Sequence, residues 1–443
     1  MMLVKNSKNE ILFNKTRFIL YTLLISLIIG ILTGLNDLEN DIQLNSKNKY
    51  IKNNVMDIKL SSDVGFSKSD YYIVNNIDNT KDVMFINKLN TTINIKNNKI
   101  NATLISYNDG DHINKHNLKF GRYPYTINEA VIEEGLFNRY KLALGNLITV
   151  TDNNKSLKAK KLKIVGVIEK SNYHLLDDET KNNEPFVLVY SNNFSYKYYT
   201  NMYITINKEN NTDYDKALTD YITILNNKLN PVVNERFKAE KALLETELTM
   251  YQEDLNELYN LDLPRESLNS DIKLASNDVQ EIKDKLNILN NPNIHILRRS
   301  KTIGYKLTKS IIDKYKKIAI SLPFLFIAGI LIIIIYETVM LIYVDKNEIK
   351  ALKSLGYNNY QISVKYVFYN LMITLLASLL GSIILNKFIR VVILKKLNIL
   401  ESIFKLTKGF NTKTILELIL TITLVCITST LVYLVSNKKE ELD

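Results

Sequence analysis

Few residues in this chain combine the type and the spacing that chemistry needs. His112 and His116 stand four apart beside Asp109 and Asp111, which would put two metal ligands on one helical face. Gly110 and its polar neighbours argue instead for a solvated loop, and no further constellation completes a ligand set. His174 and His295 have no evident partner, and no motif orders a nucleophile. None of the glycines is followed by Lys and then Ser or Thr, so the phosphate loop is missing and ATP chemistry must come from another polypeptide. Cys426 is the only cysteine, which rules out an intramolecular disulfide. We expect no catalytic residue, no cofactor and no metal. The spacing that stands out is mechanical: Glu348, Ile349, Leu352, Lys353, Leu355, Gly356 and Tyr357 lie in a short charged segment between two long apolar runs.

If that segment is helical, Ile349, Leu352 and Lys353 share one face at spacings of three and four, with Lys350 and Ser354 beside it. Gly356 then ends the helix in a left-handed conformation that other residues adopt only at a cost. A handle between two membrane spans can be pulled. The plainer reading is an amphipathic turn lying on the membrane surface.

The elements around the handle follow from hydropathy. Residues 18–35, 318–344, 366–386 and 414–436 are each apolar over the length of about 20 residues that a helix needs to cross a bilayer core. Lys5, Lys8, Lys15 and Arg17 precede the first run, which reads as an uncleaved anchor because Gly30-Ile31-Leu32-Thr33-Gly34-Leu35 is a weak cleavage pattern. With residues 1–17 inside, residues 36–317 lie outside, and the handle (345–365) and the tail (437–443) are cytoplasmic. The connection 387–413 cuts against this topology. It is placed outside, yet it carries Lys387, Arg390, Lys395, Lys396, Lys405, Lys408 and Lys413 against Glu401. Phe388, Ile389, Val391, Val392 and Ile393 beside those charges suggest a helix in the headgroup region. The net charge of +11 is accordingly read as affinity for membrane lipids, not nucleic acid, for which base-reading motifs are missing.

The exported segment divides in two. Across 36–232, short β-rich runs alternate with Asn, Asp, Ser and Gly, at 91–95, 102–107, 130–133, 147–150, 161–168, 185–190 and 202–206. An amphipathic helix follows, with Tyr214, Ala217, Leu218, Tyr221, Ile222, Leu225 and Leu229 on one face. Across 233–291, Leu244, Leu248, Tyr251, Leu255 and Leu258, and then Leu268, Ile272, Ala275, Val279, Ile282, Leu286 and Leu289, keep four-three spacing on either side of a break. That predicts an antiparallel coiled-coil hairpin roughly 35 Å tall at 1.5 Å per residue, joined through 292–317 to the second span. Its tip, Asn260, Leu261, Asp262, Pro264 and Arg265, is a candidate contact for an extracytoplasmic partner.

Charges inside the spans draw separate readings. Glu337 is read as snorkelling toward the cytoplasmic end or meeting Lys346, and Glu417 is treated alike near the outer end of the fourth span. Ala377, Ser378, Gly381 and Ser382 permit close helix packing, a face for a second copy.

Ser321-Leu322-Pro323-Phe324-Leu325-Phe326, the run from Asp345 to Tyr357, Gln361-Ile362 and Lys365-Tyr366 closely resemble the FtsX-like permease domain of ABC transporters. Gly121-Arg122-Tyr123-Pro124, Asn128 to Ile132, Leu144 to Ile148 and Ile164 to Val167 resemble the MacB-type extracytoplasmic core domain that accompanies it. The resemblance implies four transmembrane α-helices, one and then three, with a large α+β extracytoplasmic domain. It makes the segment around Glu348 to Tyr357 a coupling helix for a separate ABC ATPase subunit, and implies a second permease copy or a homologous permease. The similar large permeases carry two such membrane domains, so this chain is a half that dimerises or a split or shortened member. The expected function is ATP-coupled efflux or extraction of an amphiphile. The alternative is a non-transporting transmitter that activates an external partner such as a cell-wall hydrolase.

Overall fold

The structure is a computed structural model and describes residues 11, 14–151, 156–169, 185–207, 214–260, 265–396 and 412–440. In chain order, α1 (Lys15–Lys52) precedes β1 (Ile58–Phe66), α2 (Asp70–Asn75), β2 (Thr80–Ile86), β3 (Lys88–Ile95), β4 (Asn98–Tyr107), β5 (Leu118–Gly121), β6 (Glu129–Glu133) and α3 (Glu134–Arg139). Next come β7 (Leu147–Thr151), β8 (Lys161–Ile168), β9 (Phe186–Tyr190), β10 (Tyr199–Ile206), α4 (Tyr214–Asn260), α5 (Arg265–Ile288) and β11 (His295–Arg298). The chain closes with α6 (Ile303–Val344), α7 (Lys346–Ser354), α8 (Asn359–Leu380), a π-helical turn (Gly381–Leu385), α9 (Asn386–Lys396) and α10 (Thr412–Glu440). Residues 49–307 form one compact unit, and the segments before and after it form another.

The unit of residues 49–307 is built on two sheets. In the first, β11, β1, β10 and β2 lie side by side, all antiparallel. In the second the order is β5-β8-β6-β9-β4-β3-β7, and because β7 also pairs with β8, six of the seven strands close into a small barrel. Period-two alternation sorts the side chains: Val187 and Val189 point into the barrel core, while Phe186 and Leu188 belong to a second cluster outside it. The expected strands coincide with these elements, except that the run from Pro185 starts one residue before β9. β1, β2, β5 and β11 are additional.

α4 is a single 47-residue helix with Pro231 inside it, not a surface helix followed by a separate hairpin arm. Its first half covers the four-stranded sheet with Leu218, Tyr221, Leu225, Leu229, Val233 and Phe237, a run spaced by three and four. Arg236 anchors that half, sending Nη2 to Oδ1 of the buried Asp70 at 2.9 Å and Nη1 to Oδ2 at 3.0 Å. The second half packs on α5. Leu244, Leu268, Val279 and Ile282 are buried there, and the other expected stripe positions on the two helices are half-buried except Tyr251.

In the other unit, four helices among the described residues are long and apolar enough to cross a membrane, within Lys15–Leu44, Ile303–Val344, Asn359–Ile393 and Thr412–Ser436. α1 outruns its expected span: Leu38 and Ile42, one turn apart, pack with Ile311, Ile312, Tyr315 and Ile393. α9 therefore lies against protein, and its arginine is not a headgroup ligand. Arg390 is buried and forks onto Asp41, with Nε to Oδ2 at 2.7 Å and Nη2 to Oδ1 at 2.6 Å. Asn386 extends the cluster to Asp37 at 2.8 Å. Lys413 donates to the Ala319 carbonyl at 2.8 Å, so two of the basic residues that counted against the topology are engaged inside the unit.

The small-residue face is closed from within the same chain. A Cβ on Gly381 would come within 2.6 Å of the Ser26 carbonyl oxygen, and one on Gly30 within 2.6 Å of Leu385 Cβ. Gly30 and Gly34, spaced by four, let α1 approach this close, and Ala377 is buried beside them. Glu337 also departs from expectation. It is fully buried, not snorkelling, and accepts a hydrogen bond from the Tyr369 hydroxyl at 3.4 Å.

Because the two nearest atoms facing Gly381, the Ser26 carbonyl oxygen and the Gly30 nitrogen, are backbone, they cannot give way. Gly381→Val should lower the stability of the detergent-solubilised chain by about 1–3 kcal/mol, whereas Gly329→Ala, with nothing within 4 Å of the new Cβ, should be neutral. Thermal melting of both variants checks this.

Candidate functional site

The segment between the second and third spans is built around a bend. Asp345 still donates its N–H to the Leu341 carbonyl at 2.9 Å, completing α6, and its own carbonyl accepts the Ile349 N–H at 2.9 Å, starting α7. Its carboxylate thus sits at the positive end of α7, with Glu348 in the first turn. Lys365 of α8 reaches both acids: Nζ lies 2.8 Å from Asp345 Oδ2 and 2.8 Å from Glu348 Oε2. The Tyr366 hydroxyl donates to Asp345 Oδ2 at 3.0 Å, and its ring stacks on Tyr433 of α10 at 5.4 Å. Lys365 and Asp345 are buried, so each charge depends on the other to offset lost hydration.

The far end of α7 is fixed by backbone chemistry. Gly356 has φ +88°, donates its N–H to the Lys353 carbonyl at 3.0 Å, and is followed by Tyr357 donating to the Leu352 carbonyl at 3.2 Å. These paired bonds make a Schellman motif, and Tyr357 packs in the cluster that holds Leu352. Asn358 immediately caps α8 in a capping box with Gln361, whose Oε1 accepts the Asn358 N–H at 2.9 Å. Stop and start signals stand two residues apart, which leaves the corner little freedom.

The helix and its glycine terminator agree with the sequence reading, but the direction of the apolar face does not. Ile349 and Leu352 are 5% and 7% exposed and join the core formed with Ile362, Tyr366 and Tyr433. They anchor the handle instead of presenting it. Lys353 and Tyr357 are half-buried, and the outward surface is Lys350, Ala351, Ser354, Leu355 and Gly356, with Leu355 72% exposed and Tyr360 beyond the corner 63% exposed. Lys365 and Asp345, the residues that position α7, enter the sequence reading only as part of the family motif, with no role of their own. A lysine opening an apolar span, 20 residues after an aspartate that closes one, is the signal that points to them.

Other candidates lie apart. Asn260 ends α4 and Arg265 opens α5, while Leu261, Asp262 and Pro264 are outside the described residues. His112 and His116 occupy the irregular loop between β4 and β5, not a helical face. His112 Nε2 pairs with Asp82 Oδ2 at 2.6 Å, and the His116 ring lies against Phe186 at 5.0 Å. Among the described residues no group of three or more His, Cys, Asp and Glu side chains is placed to hold a metal ion.

Residues 320–441, which contain the whole of α7, most of the span before it and the spans after it, match the family of FtsX-like permease C-terminal domains. Residues 320–441 form an FtsX-like permease C-terminal domain. The chain is a multi-pass membrane protein, with four helices among the described residues long and apolar enough to span a bilayer. Among solved structures, the extracellular domain of the noncanonic ABC-type transporter YknZ from Gram-positive bacteria matches at 16% identity, over 38% of this chain and 92% of that one, with a TM-score of 0.26. The periplasmic region of MacB from Actinobacillus actinomycetemcomitans matches at 13% identity, over 38% and 83%, with a TM-score of 0.24. No curated protein sequence matches the chain.

Breaking a buried pair by removing one partner leaves an uncompensated charge. Lys365→Met should cost about 3–5 kcal/mol, and adding Asp345→Asn should restore much of the loss. Melting of the single and double variants checks this, and a double variant no better than the single would contradict the pairing.

Proposed function

We propose that the outward face of α7 and the corner after it form the surface on which a separate ABC ATPase subunit docks, and that the permease itself is non-catalytic. Residues Glu348, Ile349, Leu352, Lys353, Leu355, Gly356 and Tyr357 divide the work. Ile349, Leu352 and Glu348 fasten the helix to α8, Gly356 and Tyr357 set the corner, and Leu355 with Lys350 and Lys353 meets the ATPase from the cytoplasmic side. The observation that carries this reading is the clamp of Lys365 on Asp345 and Glu348, which makes α7 a stiff lever with one exposed apolar residue at its end. A docking residue on a rigid base loses little conformational freedom on binding, which favours association.

In this reading, ATP-driven closure of the motor moves α7 and with it α6, a helix unbroken from Ile303 to Val344. The motion works on the extracytoplasmic domain to extract or export an amphiphilic substrate, with two permeases, identical or homologous, pairing over an ATPase dimer. The packed pair α4 and α5 favours a second reading. It is interpreted as an antiparallel coiled coil whose tip, from Asn260 through Pro264 to Arg265, touches an external partner, so that the chain transmits a signal without moving a substrate. Truncating 234–290 separates the two: lost activation of an external hydrolase with efflux intact supports transmission, and the reverse supports transport.

Leu355→Asp and Lys350→Glu should each abolish co-purification of the ATPase subunit while leaving the melting temperature of the solubilised permease unchanged. Leu352→Asp, in contrast, should lower that temperature, because it buries a carboxylate in the core. Undiminished ATPase capture by both surface variants would sink the assignment.

A further inference from the structure

The extracytoplasmic unit contains a cavity of about 270 Å³ that the coupling reading leaves without a role. It lies where the two sheets meet: Met84 and Tyr203 come from the four-stranded sheet, Ile105 and Leu188 from the barrel, and the loop between β4 and β5 supplies the remaining wall. Its volume is at the small end of ligand pockets, which run from about 300 to 1,000 Å³, and suits a molecule of amino-acid size.

The lining is aromatic and bears both signs of charge. Tyr107 and Tyr123 stack at 4.6 Å, the His116 ring lies 5.0 Å from Phe186, and Lys88 Nζ sits 5.8 Å above the Tyr203 ring. Tyr123 is held in place by donating its hydroxyl hydrogen to the His116 carbonyl at 2.5 Å. Burial and the charge of Lys88 push His116 down to about 4, so at neutral pH its ring is uncharged and offers an N–H donor near the Lys88 ammonium. Asp111 lies within the field of His112, its Oδ2 accepting the Asn108 N–H at 2.9 Å, and burial pushes it up to about 6, which leaves it ionised at pH 7.5. Lys88 and His116 thus make a carboxylate-accepting part of the wall, and Asp111 beside Tyr107 an ammonium-accepting part.

We propose that this cavity binds a small zwitterion with an aromatic side chain, a free aromatic amino acid in the simplest case. The side chain packs among the rings, the carboxylate meets Lys88 and His116, and the ammonium meets Asp111. The site is independent of the coupling reading, and its test reads neither ATPase capture nor transport.

The full-length chain in detergent is titrated calorimetrically at pH 7.5 with L-phenylalanine, with 2-phenylethylamine, which lacks the carboxylate, and with 3-phenylpropionate, which lacks the ammonium. Saturable binding of L-phenylalanine is expected, weakened about tenfold or more in each analogue, the loss of one charge-assisted hydrogen bond. Lys88→Met should bring L-phenylalanine down to the affinity of 2-phenylethylamine, and Asp111→Asn down to that of 3-phenylpropionate. No saturable binding of L-phenylalanine, equal binding of all three ligands, or affinities unmoved by both substitutions would overturn the proposal. The comparison of the three ligands on the unaltered chain decides even where a substituted chain fails to fold.

Discussion

One buried ammonium organises the membrane unit. Lys365 lies at the start of the third span with two carboxylates within 2.8 Å, one at the bend between α6 and α7 and one in the first turn of α7. Withdrawing such a charge from water costs several kcal/mol, an amount its partners offset only while the geometry is kept. Moving α7 away from Lys365 would therefore leave a buried charge unpaired, at a cost of about 3–5 kcal/mol. The apolar contacts of Ile349 and Leu352 add to the docked side. Together these contacts hold α7 firmly to the start of the third span.

The same device recurs at the other end of the third span. Arg390 and Asn386, one turn apart on α9, meet Asp41 and Asp37, one turn apart on α1, so two helices carry matched pairs at a spacing of four. Midway, the buried Asn370 side chain donates to Thr338 of α6 at 2.8 Å and Ser429 of α10 at 2.9 Å. In hydrocarbon, where helix association gains nothing from apolar burial alone, such polar contacts and the close approach at Gly30 and Gly381 supply the specificity of packing.

Much of this architecture was legible because local patterns specify it. The four spans follow from hydropathy, seven strands from β-rich runs between turn residues, and the end of α7 from a glycine that can hold φ +88°. What stayed hidden depends on pairing between distant segments. The tail of α1, from Asn36 to Lys52, falls by hydropathy in the exported segment, and its helical continuation shows only once Leu38 and Ile42 pack on Ile311 and Tyr315. β1 carries the buried Lys59 in a run that lacks the usual enrichment in branched residues. The spacing of Ile349 and Leu352 defined a face correctly, but periodicity cannot tell whether a face meets its own chain or another. Only the position of Lys365 decides that here.

The distribution of these contacts makes α8 the hub. Lys365 ties it to the bend between α6 and α7, Asn370 to α6 and α10, and Gly381 to α1, while α9, its continuation through the π-helical turn, holds the acidic pair of α1. Each of these is a discrete polar or backbone contact, not a slippery apolar one. Sliding α8 by a fraction of a turn would break several at once, and with no water in the bilayer core none would be replaced. In the proposed coupling, a force entering at α7 would find no soft path along the third span. It would be delivered to the helix packing as a whole, including α6, a single helix from Ile303 to Val344.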